Sequence, residues 1–170
     1  MDGRPRSGAQ GHSVSVGHNV IVYHQPWRGE KSVEPELLDA HYREIASHQD
    51  VFKLDPDWDK YDRLDREGKL GFLRADAYPL GKMIGYLAFV CEPHMHYKGT
   101  VIAVGDVHYV HPNWRRQGVA RRLIYAAEQT AKRNWGAKFF VLRRKVDHPH
   151  GDLYADMGYV DIDITALKRL

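Results

Sequence analysis

The segment HPNWRRQGVARRL at residues 111–123 places two pairs of arginines around a glycine where a helix is predicted to begin. Cations in the first turn oppose the positive end of the helix dipole, so this arrangement favours a bound anion. The first turn also has backbone N–H groups without partners inside the helix. Gly118 lets a ligand approach them with no Cβ in the way. The segment predicts a pyrophosphate cradle, with a solvated arginine-rich helix start as the alternative.

This cradle differs from the two best-known phosphate-binding motifs. No GxxxxGK[ST] sequence occurs, so the segment is not a P-loop, and the glycines of the dinucleotide-binding fingerprint are missing. The anion is therefore expected to bind a strand–turn–helix unit of another class.

The composition is that of one globular domain, with 170 residues, 43% hydrophobic and 28% charged. The net charge of +3 is too small to indicate nucleic-acid binding. Cys91 is the single cysteine, which excludes an internal disulfide and predicts a reducing compartment, the cytoplasm. The longest apolar run, 83–91, is too short to span a bilayer. Residues 1–18 are predicted to be a flexible lead-in, and residues 19–170 the domain.

Hydrophobic periodicity and turn residues predict the element order β-α-α-β-β-β-α-β-α-β. The predicted elements are strand 19–24, helix 33–50, a short helix within 55–68, strands 69–78, 81–91 and 100–111, helix 117–134, strand 137–146, a helical turn at 153–158 and strand 159–170. Gly105 indicates a bulge in its strand. Three consecutive strands imply an antiparallel meander, and the strand–helix–strand unit at 100–146 implies a parallel crossover. The fold class is therefore α/β, a mixed central sheet with helices on both faces.

Two further patterns accompany the cradle sequence RRQGVA at residues 115–120. A strand ending in Val-x-Pro at 110–112 precedes it, and LYADMGY at 153–159 follows one helix and one strand later. Together these segments resemble the GNAT superfamily of N-acyltransferases, whose patterns are Arg/Gln-x-x-Gly-x-Gly/Ala and Leu-Tyr-x-x-x-Gly-Phe/Tyr. The resemblance covers the chain from about residue 19 onward. The HMHYK run at 94–98 is also similar to a group of phage-encoded members.

The resemblance implies an acyl-CoA-dependent enzyme that transfers an acetyl group from acetyl-CoA to a primary amine by direct attack in a ternary complex. In the family, backbone amides of the cradle hold the pyrophosphate, and the preceding strand hydrogen-bonds the pantetheine arm. The cofactor-binding residues implied are Tyr109, Val110, Arg115, Arg116, Gln117, Gly118, Val119, Ala120 and Asp147. Asp147 stands where the family often has Asn. Arg121 and Arg122 would either meet the 3′-phosphate or be solvated.

Three residues are candidates for proton transfer. Tyr154 matches the family's general acid, which protonates the leaving thiolate; a packed tyrosine under the sheet edge is the alternative. Strict alternation along strand 100–111 would put Asp106, His108 and Val110 on one face. An amine must lose a proton to attack, so Asp106 is the first candidate for the base and His108 the second. Polar residues where strands part are the alternative reading of both.

In the family, the first helices line the pocket that binds the acceptor, and segment 55–67 corresponds to part of this region. Its acidic residues predict a negatively charged lining that attracts a cationic amine, with a solvated helix face as the alternative. Trp58 and Tyr61, three apart, either stack on the acceptor or belong to the core.

The remaining histidines and arginines are the candidates for binding a metal ion or a nucleic acid. The pairs His94/His96 and His148/His150 lack a known metal-binding frame, so no metal is expected. A GNAT-fold protein that binds or modifies nucleic acid through residues 143–145, and a non-catalytic acyl-CoA-binding module, are the alternatives to an enzyme. A homodimer stays open, and no membrane partner is expected.

Overall fold

A mixed β-sheet forms the centre of the computed structural model, which describes residues 14–15, 19–45, 53–144 and 153–163. Within these ranges six strands lie side by side in chain order. They are β1 (Val14–Ser15), β2 (Val20–His24), β3 (Leu70–Ala77), β4 (Lys82–Pro93), β5 (Val101–Val110) and β6 (Phe139–Val141). Strands β1 to β5 pair antiparallel, and β6 is parallel to β5. The predicted fold class, with its antiparallel meander and parallel crossover, is confirmed.

In the described ranges, four α-helices and one 3₁₀ turn accompany the strands. They are α1 (Pro35–Ile45), α2 (Trp58–Arg66), the 3₁₀ turn Pro112–Trp114, α3 (Val119–Trp135) and α4 (Leu153–Asp156). Asp57 caps α2 by accepting a hydrogen bond from the Lys60 N–H at 2.9 Å. Helix α3 ends at Gly136, whose φ of 64° is left-handed. Local capping chemistry therefore sets the limits of these helices.

Apolar side chains form a core on each face of the sheet. On one face α3 buries Leu123 and Ile124 against the strands. On the other face Phe72 and Tyr86 pack with Leu37 of α1. Each such side chain stabilises the fold by about 1.5–3 kcal/mol when it is fully buried. Helices thus cover both faces, as predicted.

Two predicted C-terminal strands are shorter or missing in the described residues. Of the predicted strand 137–146, residues 137–144 are described and form a strand only at β6, and residues 159–163 form no strand. Val160 and Ile162 are 79% and 70% exposed, because this segment pairs with no described strand despite its alternating pattern. Residues 164–170 lie outside the described ranges, as does most of the predicted lead-in, of which β1 is the described part.

Candidate active site

The predicted cradle lies in the loop between β5 and α3. Arg116 and Gly118 both have left-handed backbone, with φ of 60° and 76°. Gly118 is the N-cap of α3 and supplies no side-chain cap, and the first backbone hydrogen bond of the helix runs from Arg122 N–H to Gly118 O at 3.1 Å. The N–H groups of the first turn are therefore left for an outside acceptor. A Cβ on Gly118 would meet no atom within 4 Å, so open space faces this loop. These features fit an anion such as a pyrophosphate.

Arg115 connects the cradle loop to α1 rather than facing the open space. Its two terminal nitrogens donate to both carboxylate oxygens of Glu44, one of them at 2.8 Å. Its Nε donates to the carbonyl of Val110 at 2.9 Å, and its guanidinium lies 5.5 Å from the centre of the Tyr109 ring. The hydrogen bond from Arg115 lowers the pKa of Glu44. The Arg115 side chain thus holds the loop, β5 and α1 in a fixed relation.

The arginines on α3 also have protein partners. Arg121 forms an ion pair with Asp156 of α4 at 3.2 Å. Arg122 donates to the carbonyl of Val20 in β2 at 2.8 Å, and burial lowers its pKa. Arg116 is exposed at the rim of the cradle and takes no part in these pairs. Of the four arginines, Arg116 is therefore the one best placed for a phosphate.

The edge of β5 is open beyond residue 104. Strand β6 pairs with β5 only at residues 102–104, and no described strand covers residues 105–110 on that side. The last pair of the two strands is Val104 with Val141, and Leu142 still lies close to β5, because a Cβ on Gly105 would come within 2.8 Å of its side chain. Backbone groups on such an edge can bond an extended ligand as if it were another strand. Tyr109 and Val110, the predicted contacts of the pantetheine arm, lie at the cradle end of this edge.

A bulge in β5 decides where Asp106 points. The register with β4 shifts by one residue opposite Ala88 and Phe89, which leaves Asp106 as the extra residue. Its carboxylate accepts a hydrogen bond from the Tyr61 hydroxyl of α2, whereas Val110 packs on the α3 side. The expectation that Asp106 and Val110 share one face by strict alternation is therefore wrong, although a bulge near Gly105 was predicted.

A cavity of about 510 Å³ lies beside Asp106, between the sheet and the first two helices. Its wall contains a cluster of aromatic rings centred on Trp27. The Trp27 ring stacks on Tyr61 at 5.2 Å and meets Phe72 edge-on at 5.6 Å. Trp58 lies 5.9 Å from Tyr61 and completes this wall. A concave, mostly apolar site with few polar groups is typical of small-molecule binding.

The polar ends of these rings are bonded within the protein. Trp27 Nε1 donates to Asp62 at 2.6 Å, and the Tyr86 hydroxyl pairs with His41 Nδ1 at 2.7 Å. Burial and the carboxylate of Asp106 raise the pKa of Tyr61. Burial also raises the pKa of Tyr86. Both phenols are therefore neutral over the physiological pH range.

The acidic residues of segment 55–67 do not form the expected wall in the described part of the cavity. Asp57 caps α2, and Asp62 is bonded to Trp27. Trp58 and Tyr61 of this segment line the cavity instead, and the carboxylate in the described lining belongs to Asp106 of β5. These two aromatic residues of α2 therefore face the cavity, in agreement with the expectation that they could contact a ligand.

The three candidates for proton transfer lie in two places. His108 pairs with Leu87, whose side chain packs on the α3 face, so it shares a face with Val110 and not with Asp106, although it also borders the cavity. Tyr154 of α4 is 8% exposed, packs on the α3 side and does not line the cavity. Burial raises the pKa of Tyr154 to about 12, so its hydroxyl keeps its proton at neutral pH. The arrangement fits a base and an acid acting from opposite sides of the open edge of β5.

The cavity lining includes three residues that the sequence analysis did not predict as part of the site: Trp27, His41 and Tyr86. Trp27 follows β2, His41 is on α1 and Tyr86 is on β4. Strand alternation puts Tyr86 and Ala88 on one face, and that was the one signal available for this group. Spacing alone could not bring the three elements together.

Of the two histidine pairs, His94/His96 lies in the described part of the chain. His96 N–H donates to His94 Nδ1 at 3.1 Å, and the two rings are 5.9 Å apart. Among the residues described, no group of three or more His, Cys, Asp or Glu side chains could hold a metal ion. Asp147, His148 and His150 lie outside those residues. No helix in the same part of the chain is long and apolar enough to cross a membrane.

Comparison with known proteins adds a family match. The model of the Acetyltransferase (GNAT) family matches residues 35–159. No curated protein sequence matches the chain.

Several solved structures have a similar fold. Ribosomal-protein-alanine N-acetyltransferase from Brucella melitensis biovar Abortus 2308 is 21% identical, with a TM-score of 0.64 over 90% of this chain and 100% of that one. An aminoglycoside acetyltransferase from an uncultured soil metagenomic sample is 18% identical, with a TM-score of 0.65 over 89% and 98%. AAC(6′)-Iy in complex with the bisubstrate analogue CoA-S-monomethyl-acetylneamine is 17% identical, with a TM-score of 0.57 over 91% and 99%. At these identities the similarity shows the fold alone.

Proposed function

We propose, since this chain belongs to the GNAT acetyltransferase family, that it transfers an acetyl group from acetyl-CoA to a primary amine by direct attack in a ternary complex. One observation carries the proposal. The cavity borders Asp106, Val107 and His108 of β5, and the cradle follows directly after Val110, the last residue of the same strand, so both lie along the stretch of β5 that β6 leaves unpaired. A thioester that lies along this edge, with its phosphates in the cradle, reaches the cavity with its acetyl group.

The cradle and the edge of β5 supply the contacts for acetyl-CoA. Backbone N–H groups of residues 116–120 would hold the pyrophosphate, with the exposed Arg116 side chain beside it. The backbone of Tyr109 and Val110 would bond the pantetheine arm. Asp147 remains a predicted contact of that arm. AAC(6′)-Iy, which has a similar fold, is in complex with a CoA-containing bisubstrate analogue, and this supports the assignment.

Asp106 and Tyr154 are assigned opposite proton transfers. The ammonium form of the acceptor gives its proton to Asp106, directly or through water, and the neutral nitrogen attacks the thioester carbonyl carbon. A C–N bond forms as the C–S bond breaks, and the departing thiolate takes a proton from the neutral hydroxyl of Tyr154. The attacking nitrogen then gives up its second proton, which returns through water to the Tyr154 oxygen, while Asp106 releases the first proton to solvent. The hydrogen bond from Tyr61 fixes the orientation of the Asp106 carboxylate. His108, which also borders the cavity, is the second candidate for the base.

No enzyme nucleophile is needed for this reaction. Cys91 is 3% exposed, and burial raises the pKa of its thiol to about 12. A neutral buried thiol is a poor nucleophile, which favours direct transfer over a covalent acetyl-enzyme. A cytoplasmic location remains a prediction from the cysteine usage.

The two rival functions receive less support from the structure. Arg144, part of the predicted nucleic-acid patch, is paired with Asp161, and Arg115 is paired with Glu44. These ion pairs neutralise charge that a nucleic acid would need. A non-catalytic acyl-CoA-binding module has no evident use for an aromatic acceptor cavity.

The test is thiol release from acetyl-CoA in the presence of single amines drawn from arylalkylamines, polyamines, aminoglycosides, amino sugars and peptides. Amine-dependent release, with the acetylated amine identified by mass spectrometry, is the expected result. Binding of acetyl-CoA without release on any amine would instead support the non-catalytic module. Salt-dependent binding of DNA, without thiol release, would support the nucleic-acid alternative.

A further inference from the structure

The wall of the cavity is mainly aromatic. Trp27, Trp58, Tyr61 and Phe72 line it and form a continuous cluster, with neighbouring ring centres 5.2 to 6.1 Å apart. Rings at these separations pack as stacked, tilted or edge-on pairs and present an apolar, polarisable surface. Such a surface binds an aromatic group better than it binds a hydrated sugar.

Three polar groups of this wall already have hydrogen-bond partners within the protein. The indole N–H of Trp27 is donated to Asp62, the Tyr61 hydroxyl to Asp106, and the Tyr86 hydroxyl pairs with His41. A substrate with many hydroxyl or amide groups would lose its hydrogen bonds to water on entry. Buried polar groups without new partners reduce affinity strongly. This disfavours aminoglycosides, amino sugars and extended peptides.

The charges around the cavity favour one cation rather than several. In the described lining the acidic side chain is Asp106, and the basic ones are Arg143 and Arg144, of which Arg144 is paired with Asp161. The Tyr61 hydroxyl donates a hydrogen bond to Oδ2 of Asp106, and a carboxylate can accept further hydrogen bonds on both oxygens. One ammonium can therefore be bound there. Further ammonium groups on the same molecule would face aromatic walls or the arginines.

We propose, on the basis of the acetyltransferase function proposed above, that the acceptor is an arylalkylamine. Its ring lies against the cluster of Trp27, Trp58 and Tyr61, and its amine lies at Asp106. A cavity of about 510 Å³ holds one or two rings with a short alkyl chain. The same ring contacts orient the nitrogen toward the open edge of β5, where the thioester is expected.

The first experiment compares kcat/KM for 2-phenylethylamine, tryptamine, spermidine, sisomicin and an alanyl tripeptide at saturating acetyl-CoA. The two arylalkylamines are expected to exceed the others by at least about tenfold, which corresponds to about 1.4 kcal/mol. Preference for spermidine, sisomicin or the tripeptide would overturn the assignment of the substrate class and leave the acetyltransferase function intact.

The second experiment uses a variant of the aromatic wall with a matched control. Trp58→Leu removes a ring of the wall without touching the hydrogen bond between Tyr61 and Asp106. Its KM for 2-phenylethylamine should rise about tenfold, with kcat and the KM for acetyl-CoA little changed. Tyr97→Leu, at a ring that is 64% exposed and outside the cavity, should leave all three constants unchanged. Equal effects of the two substitutions would contradict the proposal.

A binding measurement that needs no catalysis tests the arylalkylamine assignment separately from the acetyltransferase function. N-acetyl-2-phenylethylamine should quench tryptophan fluorescence of the wild type and of Tyr97→Leu, with a dissociation constant about tenfold higher in Trp58→Leu. If this pattern appears and no amine is acetylated, the cavity assignment stands and the proposed transfer fails. If no quenching occurs in the wild type, the arylalkylamine assignment fails even where thiol release is observed.

Discussion

Arg115 on the cradle loop and Glu44 on α1 form a bidentate ion pair that joins this loop to the helix bordering the aromatic cavity. Tyr109 strengthens the link, because its hydroxyl also donates to Glu44, at 3.0 Å. The pair therefore connects the two halves of the proposed site through one carboxylate. Its side chains are 40% and 33% exposed, so solvent screens it, and its direct contribution to stability is about 1 kcal/mol or less.

The pH dependence of stability should reveal this pair. Arg115 lowers the pKa of Glu44 in the folded state, so the stabilisation is present above the unfolded value of 4.5 and is lost as the pH falls toward the folded value. Glu44→Gln should therefore unfold more easily than wild type in urea at pH 7, and the difference should shrink at pH 3. A difference that stays constant between these pH values would contradict this role of Glu44.

Tyr154→Phe should keep the packing of α4 and remove the proposed proton donor. Turnover is expected to fall by about 10²–10⁴-fold, the usual contribution of a general acid, with little change in acetyl-CoA affinity. Steady-state kinetics together with calorimetric titration of CoA measure both quantities. Tyr125→Phe, at an exposed position on α3, is the control for loss of a hydroxyl. Unchanged turnover in Tyr154→Phe would assign this tyrosine to packing alone.

The base is tested by pH–rate profiles of the wild type, Asp106→Asn and His108→Gln with any amine that is acetylated. Asp106→Asn should lower kcat by about 10²–10⁴-fold, since the amide cannot take the ammonium proton. His108→Gln should retain the wild-type profile. If His108→Gln instead removes the acid limb while Asp106→Asn is fully active, His108 is the base. If neither variant alters the profile, the base is not on β5.

The parts of the site that depend on local sequence could be predicted. The cradle is specified by residues 115–120 and by a glycine whose φ of 76° other residues rarely adopt, so the motif and the conformation agree. Helix α3 and the strands before it follow from periodicity and capping. The crossover from β5 to β6 follows from the element order.

The parts that depend on tertiary assembly could not be predicted. The orientation of Asp106 depends on a one-residue register shift against β4, and such a shift reverses the face on which a side chain lies. The aromatic cavity is built from Trp27, Tyr61 and Tyr86, which belong to three elements far apart in the chain. Of the two readings of the acidic residues of α2, the solvated helix face fits the structure, because Asp59 and Asp65 are exposed and Asp62 is bonded to Trp27.

The most direct test of the cradle is the stabilisation of the fold by acetyl-CoA, measured by thermal melts of the wild type, Gly118→Glu and Gly99→Glu. Both glycines are left-handed, with φ of 76° and 79°, and a Cβ on either meets no atom within 4 Å, so the two substitutions impose similar strain and the same charge. At one hundred times the dissociation constant, acetyl-CoA should stabilise the wild type and Gly99→Glu by about 2.7 kcal/mol. Gly118→Glu should remain folded and show no such shift, because its carboxylate repels the pyrophosphate. An equal shift in all three proteins, or none in the wild type, would contradict the proposed acetyl-CoA site.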